Sequence, residues 1–329
     1  MSKADDARWM AAALALASRG QGSSAPNPNV GCVIVRDGIV IGRGWTQPGG
    51  RPHAEAMALG EAGAAAIGAV AYTTLEPCAH RSPRGPACSD LLVAAGVSRV
   101  VIAFRDPDPR TDGEGLARLS AAGIATESGI CAAQAKQSLI GFLTRQAFGR
   151  PMVTLKLATS LDGCIALANG ESQWITGAQA RAHTHLERSR HGAILVGRGT
   201  YDADTPRLDV RLPGLEACSP RRLVLTSRPI PADTGWHALA SPDAITTLDG
   251  IDHLLVEGGA GAAAAFLASD LVDRLLIYRA PILIGGGQTA IGDIGLQSLA
   301  DAHGRWRLAD ARLLGSDRLE VYERVRGTA

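Results

Sequence analysis

Hydrophobic and polar positions along the chain fall into two successive runs of alternating elements. From Asp5 to Arg19, Met10, Ala13, Leu14 and Ala17 recur at helical spacing, and Gly20 suits a C-terminal stop. Two apolar stretches, 30–36 and 39–44, flank Asp37-Gly38, a strong hairpin signal. The pattern then predicts a helix over 53–62, a strand at 69–75, a helix at 86–95 and a strand at 99–104. A loop rich in Pro, Asp and Gly runs from Asp106 to Gly115. A helix near 114–122, a short strand at 124–127 and one helix from about Cys131 to Phe148 complete the run. A hairpin followed by alternating helices and strands predicts an α/β/α sandwich with both sheet faces covered.

Gly149-Arg150-Pro151 interrupts this pattern and divides the chain into a first domain, 1–148, and a second, 151–329. The second restarts with a strand at 152–158, a helix at 177–190 and a strand at 193–196. A loop spans Arg211 to Arg221, and strands follow at 222–226 and 253–256. Gly258-Gly259-Ala260-Gly261 then opens a helix ending near Ser269, and late strands occupy 274–279 and 319–324. Lys156 lies in an otherwise apolar strand, so it is either an inward-facing functional cation or an outward-facing edge residue. Gly259-x-Gly261-x-x-Ala264 follows a strand and opens a helix, as a loose dinucleotide fingerprint does. Backbone amides at such a start suit an anion. No acidic residue stands at the distance that would hold a ribose, so a cofactor turn of another architecture and plain strand–helix packing both remain open.

With 329 residues the chain is long enough for two full cores. A net charge of +1 gives no electrostatic argument for nucleic acid, and 4% aromatic residues leave little for a base-stacking groove. No apolar run approaches the ~18 residues of a membrane span. The polar, acidic start is unlike a signal core. The six cysteines show no disulfide-framework spacing, which suggests a reducing, cytoplasmic setting.

Candidate chemistry centres on His53-Ala54-Glu55, Pro77-Cys78 and Cys88. One His and two Cys with a Glu two residues after the His is the signature of zinc deaminases, in which the Glu moves protons. A catalytic zinc takes three protein ligands and keeps a fourth position for water. The tripeptide alone would fit a His at a helix start and a solvated Glu. It is the cysteine pair after an apolar strand that favours the metal. The spacing departs from the common pattern, since nine residues rather than two separate the cysteines.

Further motifs occur in order: Pro26-Asn27-Pro28-Asn29-Val30-Gly31-Cys32-Val33, Leu75-Glu76-Pro77-Cys78-Ala79-His80, Ser160-Leu161-Asp162-Gly163 and Gly170-Glu171-Ser172-Gln173-Trp174-Ile175-Thr176. With the His53 motif, the chain resembles the bifunctional riboflavin biosynthesis deaminase–reductases over nearly its whole length. That resemblance implies a cytidine-deaminase-like domain followed by a dihydrofolate-reductase-like α/β domain. The first would hydrolyse an amino group from a diaminopyrimidinone ribosylamine phosphate. The second would reduce the ribosyl group to ribityl with NADPH. His53, Cys78 and Cys88 would bind one Zn2+, Glu55 would shuttle protons, and Asn27 and His80 would contact the first substrate. Ala158, Trp174, Thr200, Asp204 and Ser227 would line the NADPH site, with the turn Gly259, Ala260, Gly261, Ala262, Ala263, Ala264 and Ala265. Ser172, Arg188, Leu208, Arg211 and Glu257 would hold the second substrate. Arg188 and Arg211 suit a phosphate because a guanidinium donates in a planar fork. Lys156 is assigned the task of polarising the ribose-derived carbonyl or imine.

The Cys78–Cys88 loop is one residue longer than the family's usual form, so its phosphate contact falls to Arg81 or Arg84. Thr46 stands where the family often has a His, and Asp204-Thr205-Pro206 replaces a more usual Asp-Asp-Pro. Arg181, Arg198 and Arg228 are alternatives for a cofactor 2′-phosphate. The expected partners are small pyrimidine ribosylamine phosphates, with no nucleic acid and no membrane; homo-oligomerisation is left open. Two other readings compete. One is a zinc nucleoside or RNA deaminase with an accessory C-terminal half. The other is a non-catalytic protein whose zinc would be closed by a fourth ligand.

Overall fold

The computed structural model describes residues 3–80, 82–232 and 234–326. The chain divides into two compact units, Met1–Gly149 and Arg150–Ala329.

The first unit is a five-stranded sheet covered by helices. Its elements are α1 (Lys3–Ala17), β1 (Gly31–Arg36), β2 (Ile39–Trp45), α2 (Ala54–Ala62), β3 (Val70–Thr73), α3 (Cys88–Ala94), β4 (Arg99–Ile102), α4 (Glu114–Ala121), β5 (Ala125–Ser128), α5 (Ala132–Ser138) and α6 (Ile140–Phe148). The strand order is β2-β1-β3-β4-β5, with β1 antiparallel to both neighbours and β3, β4 and β5 parallel. Alternation along β1 separates two cores. Cys32 and Ile34 pack with Ala54 and Ala58 of α2 and Leu92 of α3. Val33 and Val35 pack with Trp9, Met10 and Ala13 of α1. At the hairpin turn both Asp37 and Gly38 have positive φ, 50° and 75°, as a tight two-residue turn requires.

Glycines on β2 set how deeply the next helix sits. A Cβ on Gly42 or Gly44 would lie 2.1 Å from the carbonyl oxygen of Ala58 or Ala54, so α2 rests directly on the strand backbone. One expectation fails here: the helix foreseen over 131–148 is two. Leu139, with φ −92° and ψ 6°, separates α5 from α6. Leu139 and Phe142 both bury in the core, so the apolar spacing runs on across the break and conceals it.

The second unit contains β6 (Met152–Thr159), β7 (Cys164–Ala166), α7 (Ala178–Ser189), β8 (Ala193–Gly197), α8 (Arg198–Asp204), β9 (Arg221–Leu225), β10 (Trp236–Leu239), β11 (His253–Glu257), α9 (Ala260–Ala268), β12 (Arg274–Arg279), β13 (Gln288–Thr289), β14 (Trp306–Leu314) and β15 (Asp317–Arg324). Eight strands form one sheet in the order β10-β9-β8-β11-β6-β12-β15-β14; the first six are parallel and the last two antiparallel. β7 and β13 form a separate pair. Val153, Leu155 and Leu157 bury one face of β6 with Phe266 of α9. On the other face, Ile194, Val196 and Leu255 pack with Tyr201 of α8, and Leu276 and Tyr278 with Ala180 of α7. β6 is an interior strand, paired with β11 and β12, so the edge reading of Lys156 is corrected.

Candidate active sites

In the first unit α2 begins immediately after His53, which takes the N-cap position with extended backbone. This turns the imidazole away from the helix while Glu55 occupies the first turn. Cys78 follows β3 and Cys88 opens α3. His53 Nδ1 lies 3.2 Å from Cys88 Sγ and 3.6 Å from Cys78 Sγ, and the three donor atoms lie within 4.8 Å of one another. Zinc bonds of about 2.0 Å to nitrogen and 2.3 Å to sulfur in a tetrahedron require roughly such separations. The donor set and spacing therefore fit zinc. Among the described residues the cluster comprises these three donors, without the fourth that would close a structural site.

Glu55 is buried, and burial pushes its carboxyl above the usual range. Cys78 is drawn down, first by its hydrogen bond with Cys88 and then by His53. The Asn27 amide lies 2.8 Å from His53 Nε2 and donates to the Gly50 carbonyl at 2.8 Å, so Asn27 fixes the back of the imidazole. His53, Glu55, Cys78, Asn27 and His80 line one cavity. Thr46 also lines it, and its hydroxyl accepts from Val30 N at 3.0 Å.

Three groups in this cavity were not singled out from the sequence. Buried Glu76 accepts from the backbone N–H of Gly113 and Leu116, each at 3.1 Å, and so holds the start of α4 against the strand leading to Cys78. Asp106 and Asp108 line the same space, and burial raises Asp106 to about 6. For the two aspartates the signal in the sequence was a Pro/Asp-rich loop, and Glu76 stood inside the Leu75–His80 motif without an assigned role. Arg84 donates to the Gly49 carbonyl at 2.6 Å; Arg81 lies outside the described residues.

The second unit carries two adjoining cavities of about 580 and 570 Å³, and Lys156, Ala158, Ser172 and Asp204 line both. One lobe adds Trp174, Arg181, His185, Arg188 and Arg211. The other adds Thr200, Leu208, Glu257 and Gly259. Trp174 is exposed rather than core, with the Arg181 guanidinium 4.8 Å from its ring centre. Parallel pairing of β6 with β11 puts Lys156 opposite Glu257. Buried Glu257 accepts from Arg188 Nε at 2.8 Å and Nη2 at 3.0 Å, and Lys156 Nζ lies 3.6 Å away. Burial alone would raise Glu257, but Lys156 and Arg188 outweigh it and hold the carboxyl at about 2.

At the N-terminus of α9, Gly259 N donates to Thr200 Oγ1 at 3.3 Å. Gly259, Gly261 and Ala262 border a smaller cavity with Arg198 and Thr200. The side chains of Ala262, Ala263 and Ala264 are buried in the packing of α9, and Ala265 is half-buried. Ser227 is exposed in the loop after β9, outside the lining of both lobes. Arg198 and Arg228 both meet Asp202, at 2.8 and 3.6 Å.

Residues 3–104 match the family model for the cytidine and deoxycytidylate deaminase zinc-binding region, and residues 151–319 match the RibD C-terminal domain. The riboflavin biosynthesis protein RibD of Escherichia coli K12 is 40% identical over 95% of this chain and 97% of its own length. The chain belongs to the RibD family. It is thus a bifunctional deaminase and reductase of riboflavin biosynthesis. Among solved structures, Acinetobacter baumannii RibD is 36% identical with a TM-score of 0.86, covering 99% of this chain and 100% of that one. A Thermotoga maritima protein described as a diaminohydroxyphosphoribosylaminopyrimidine deaminase/5-amino-6-(5-phosphoribosylamino)uracil reductase is 29% identical with a TM-score of 0.88, covering 98% and 99%. Family membership sets aside the nucleoside or RNA deaminase and the non-catalytic reading. Among the described residues no helix is long and apolar enough to cross a membrane.

Proposed function

We propose that the first unit hydrolyses the amino group of diaminohydroxyphosphoribosylaminopyrimidine at the His53–Cys78–Cys88 centre. The second unit then reduces the ribosyl side chain to ribityl in the Lys156 cleft. The observation that carries the first half is a trio of zinc-spaced donors, two of which, His53 and Cys78, line one cavity with the buried carboxylate of Glu55. Bound zinc supplies Lewis acidity and lowers the pKa of water. Glu55 takes the proton of the attacking water and returns it to the ring nitrogen and the departing amine, which leaves as ammonia. A carboxyl lifted by burial is suited to both halves of that exchange. Asn27 holds the imidazole, and His80 faces the substrate.

In the second unit NADPH supplies a hydride. Trp174, with Thr200, Asp204 and the N-terminal amides of α9, holds the cofactor. Arg188 and Arg211 take the substrate phosphate, and Ser172 and Leu208 border the sugar. Glu257 pairs with Lys156 at 3.6 Å, and Lys156 polarises the ribose-derived carbonyl or imine as hydride arrives. A cytoplasmic setting accords with six free cysteines.

One mass-resolved assay of the purified protein with the diaminopyrimidinone ribosylamine phosphate tests both halves. Amino loss without NADPH, gain of two hydrogens with it, and no deamination by Glu55→Ala are expected. Deamination without reduction would overturn the second assignment, and full turnover by Glu55→Ala the first.

A further inference from the structure

His185 lies on α7 one turn before Arg188 and lines the same lobe as Arg188 and Arg211. Its Nδ1 lies 3.1 Å from the Asp209 carbonyl oxygen and 3.3 Å from the Arg211 backbone N. Either tautomer ties the ring to this segment, because a protonated Nδ1 donates to the carbonyl and a bare one accepts from the amide. Arg188 Nη1 donates to the same Asp209 carbonyl at 3.1 Å. The Asp209 carboxylate in turn pairs with Arg207 at 2.6 Å and with Arg211 Nε at 3.4 Å. Two side chains of α7 thus hold the main chain from which Arg211 extends.

The segment needs holding. Leu208 has φ +51°, a backbone region L side chains rarely adopt, so its conformation persists only when the surroundings impose it. Arg211 is itself half-exposed, and a long side chain in that setting loses much of its aim if its backbone drifts.

We propose that His185 is a positioning residue of the reductase: it fixes the Asp209–Arg211 segment so that Arg211 converges with Arg188 on the substrate phosphate. The inference rests on the assignment of those two arginines to the phosphate. His185 touches neither cofactor nor sugar in this account. Its loss therefore weakens binding of a phosphorylated substrate and leaves hydride transfer alone.

The test measures NADPH oxidation with 5-amino-6-(5-phosphoribosylamino)uracil, and again with the same compound lacking its phosphate. His185→Leu should raise KM for the phosphorylated substrate about tenfold, the equivalent of one good hydrogen bond, with kcat within about twofold. His185→Asn, which offers both a donor and an acceptor near Nδ1, should recover most of the loss. Without the phosphate, wild type and His185→Leu should have the same KM. An unchanged KM in His185→Leu, beside a raised KM in Arg211→Ala, would overturn the positioning role and keep the phosphate assignment. An unchanged KM in Arg211→Ala would remove the phosphate assignment itself. A fall in kcat, a parallel rise in KM for NADPH, or an equal penalty on both substrates would each mark His185 as merely structural. Should His185→Leu fail to fold, the same comparisons on His185→Asn and His185→Ala decide the question.

Discussion

Replacing Glu257 by glutamine should destabilise the second unit by roughly 3 kcal/mol at neutral pH. The carboxylate is buried, takes both hydrogen bonds of the Arg188 fork and lies 3.6 Å from Lys156. Burial opposes the charge, yet Lys156 and Arg188 hold the group at about 2 against an ordinary 4.5. That difference corresponds to roughly 3 kcal/mol. The sign follows from linkage: a carboxyl depressed in the folded state stabilises fully above 4.5 and loses its contribution as pH falls towards 2. At pH 3 about half should remain. Glutamine keeps the shape and one acceptor, but it leaves Arg188 and Lys156, 12% and 17% exposed, without a countercharge. Breaking a buried pair from one side costs about 3–5 kcal/mol, the same order. Urea unfolding followed by amide exchange in β6 and β11 isolates this unit from the other. A variant as stable as wild type at pH 7 would refute the argument. So would a stability gap equally large at pH 3 and pH 7.

Two further outcomes follow from buried groups outside the active sites. Asp6 accepts from both Arg99 Nη atoms at 2.9 Å and from Tyr72 at 2.8 Å, tying α1 to β3 and β4. Asp6→Asn should therefore cost the first unit about 2 kcal/mol in chemical denaturation while leaving zinc content intact; an unchanged midpoint would count against it. His253 is pushed to about 3 by burial, with His191 and Arg274 adding to the effect. The unfolded chain then binds a proton near 6.5 that the folded unit refuses, so stability falls as pH drops from 6.5 towards 3. His253→Phe should flatten the acid limb of Tm against pH, and parallel limbs in variant and wild type would sink the idea.

The zinc-spaced cluster was legible because its chemistry is local. His53 and Glu55 share one helix start, Cys78 ends a strand approach, and Cys88 opens a helix. Few other arrangements call for those residue types in that order. The parts that escaped are those whose partners lie far along the chain. Glu76 meets the α4 amides, His185 meets Asp209, and Glu257 meets Arg188 only once the fold is made. β14 escaped for another reason: seven of its nine residues are exposed, so no alternation marks it. The break at Leu139 was hidden because apolar periodicity persists through it.

The two sites depend on the fold in different ways. In the first unit the depth of the site is set by what is absent. Gly42 and Gly44 let α2 lie on the β2 backbone, and His53 and Glu55 ride at the start of that helix. Any side chain at either glycine would lift the helix, moving His53 and Glu55, the proposed metal donor and proton carrier, together against Cys78 and Cys88. In the second unit charge and strand register do the same work. Parallel pairing brings Lys156 opposite Glu257, and Arg188 reaches the same carboxylate from α7. Because Lys156 and Leu157 point to opposite faces, a one-residue slip of β6 would place leucine in the cleft and bury the lysine in the α9 core. The register of one interior strand therefore decides whether the second cleft has its cation.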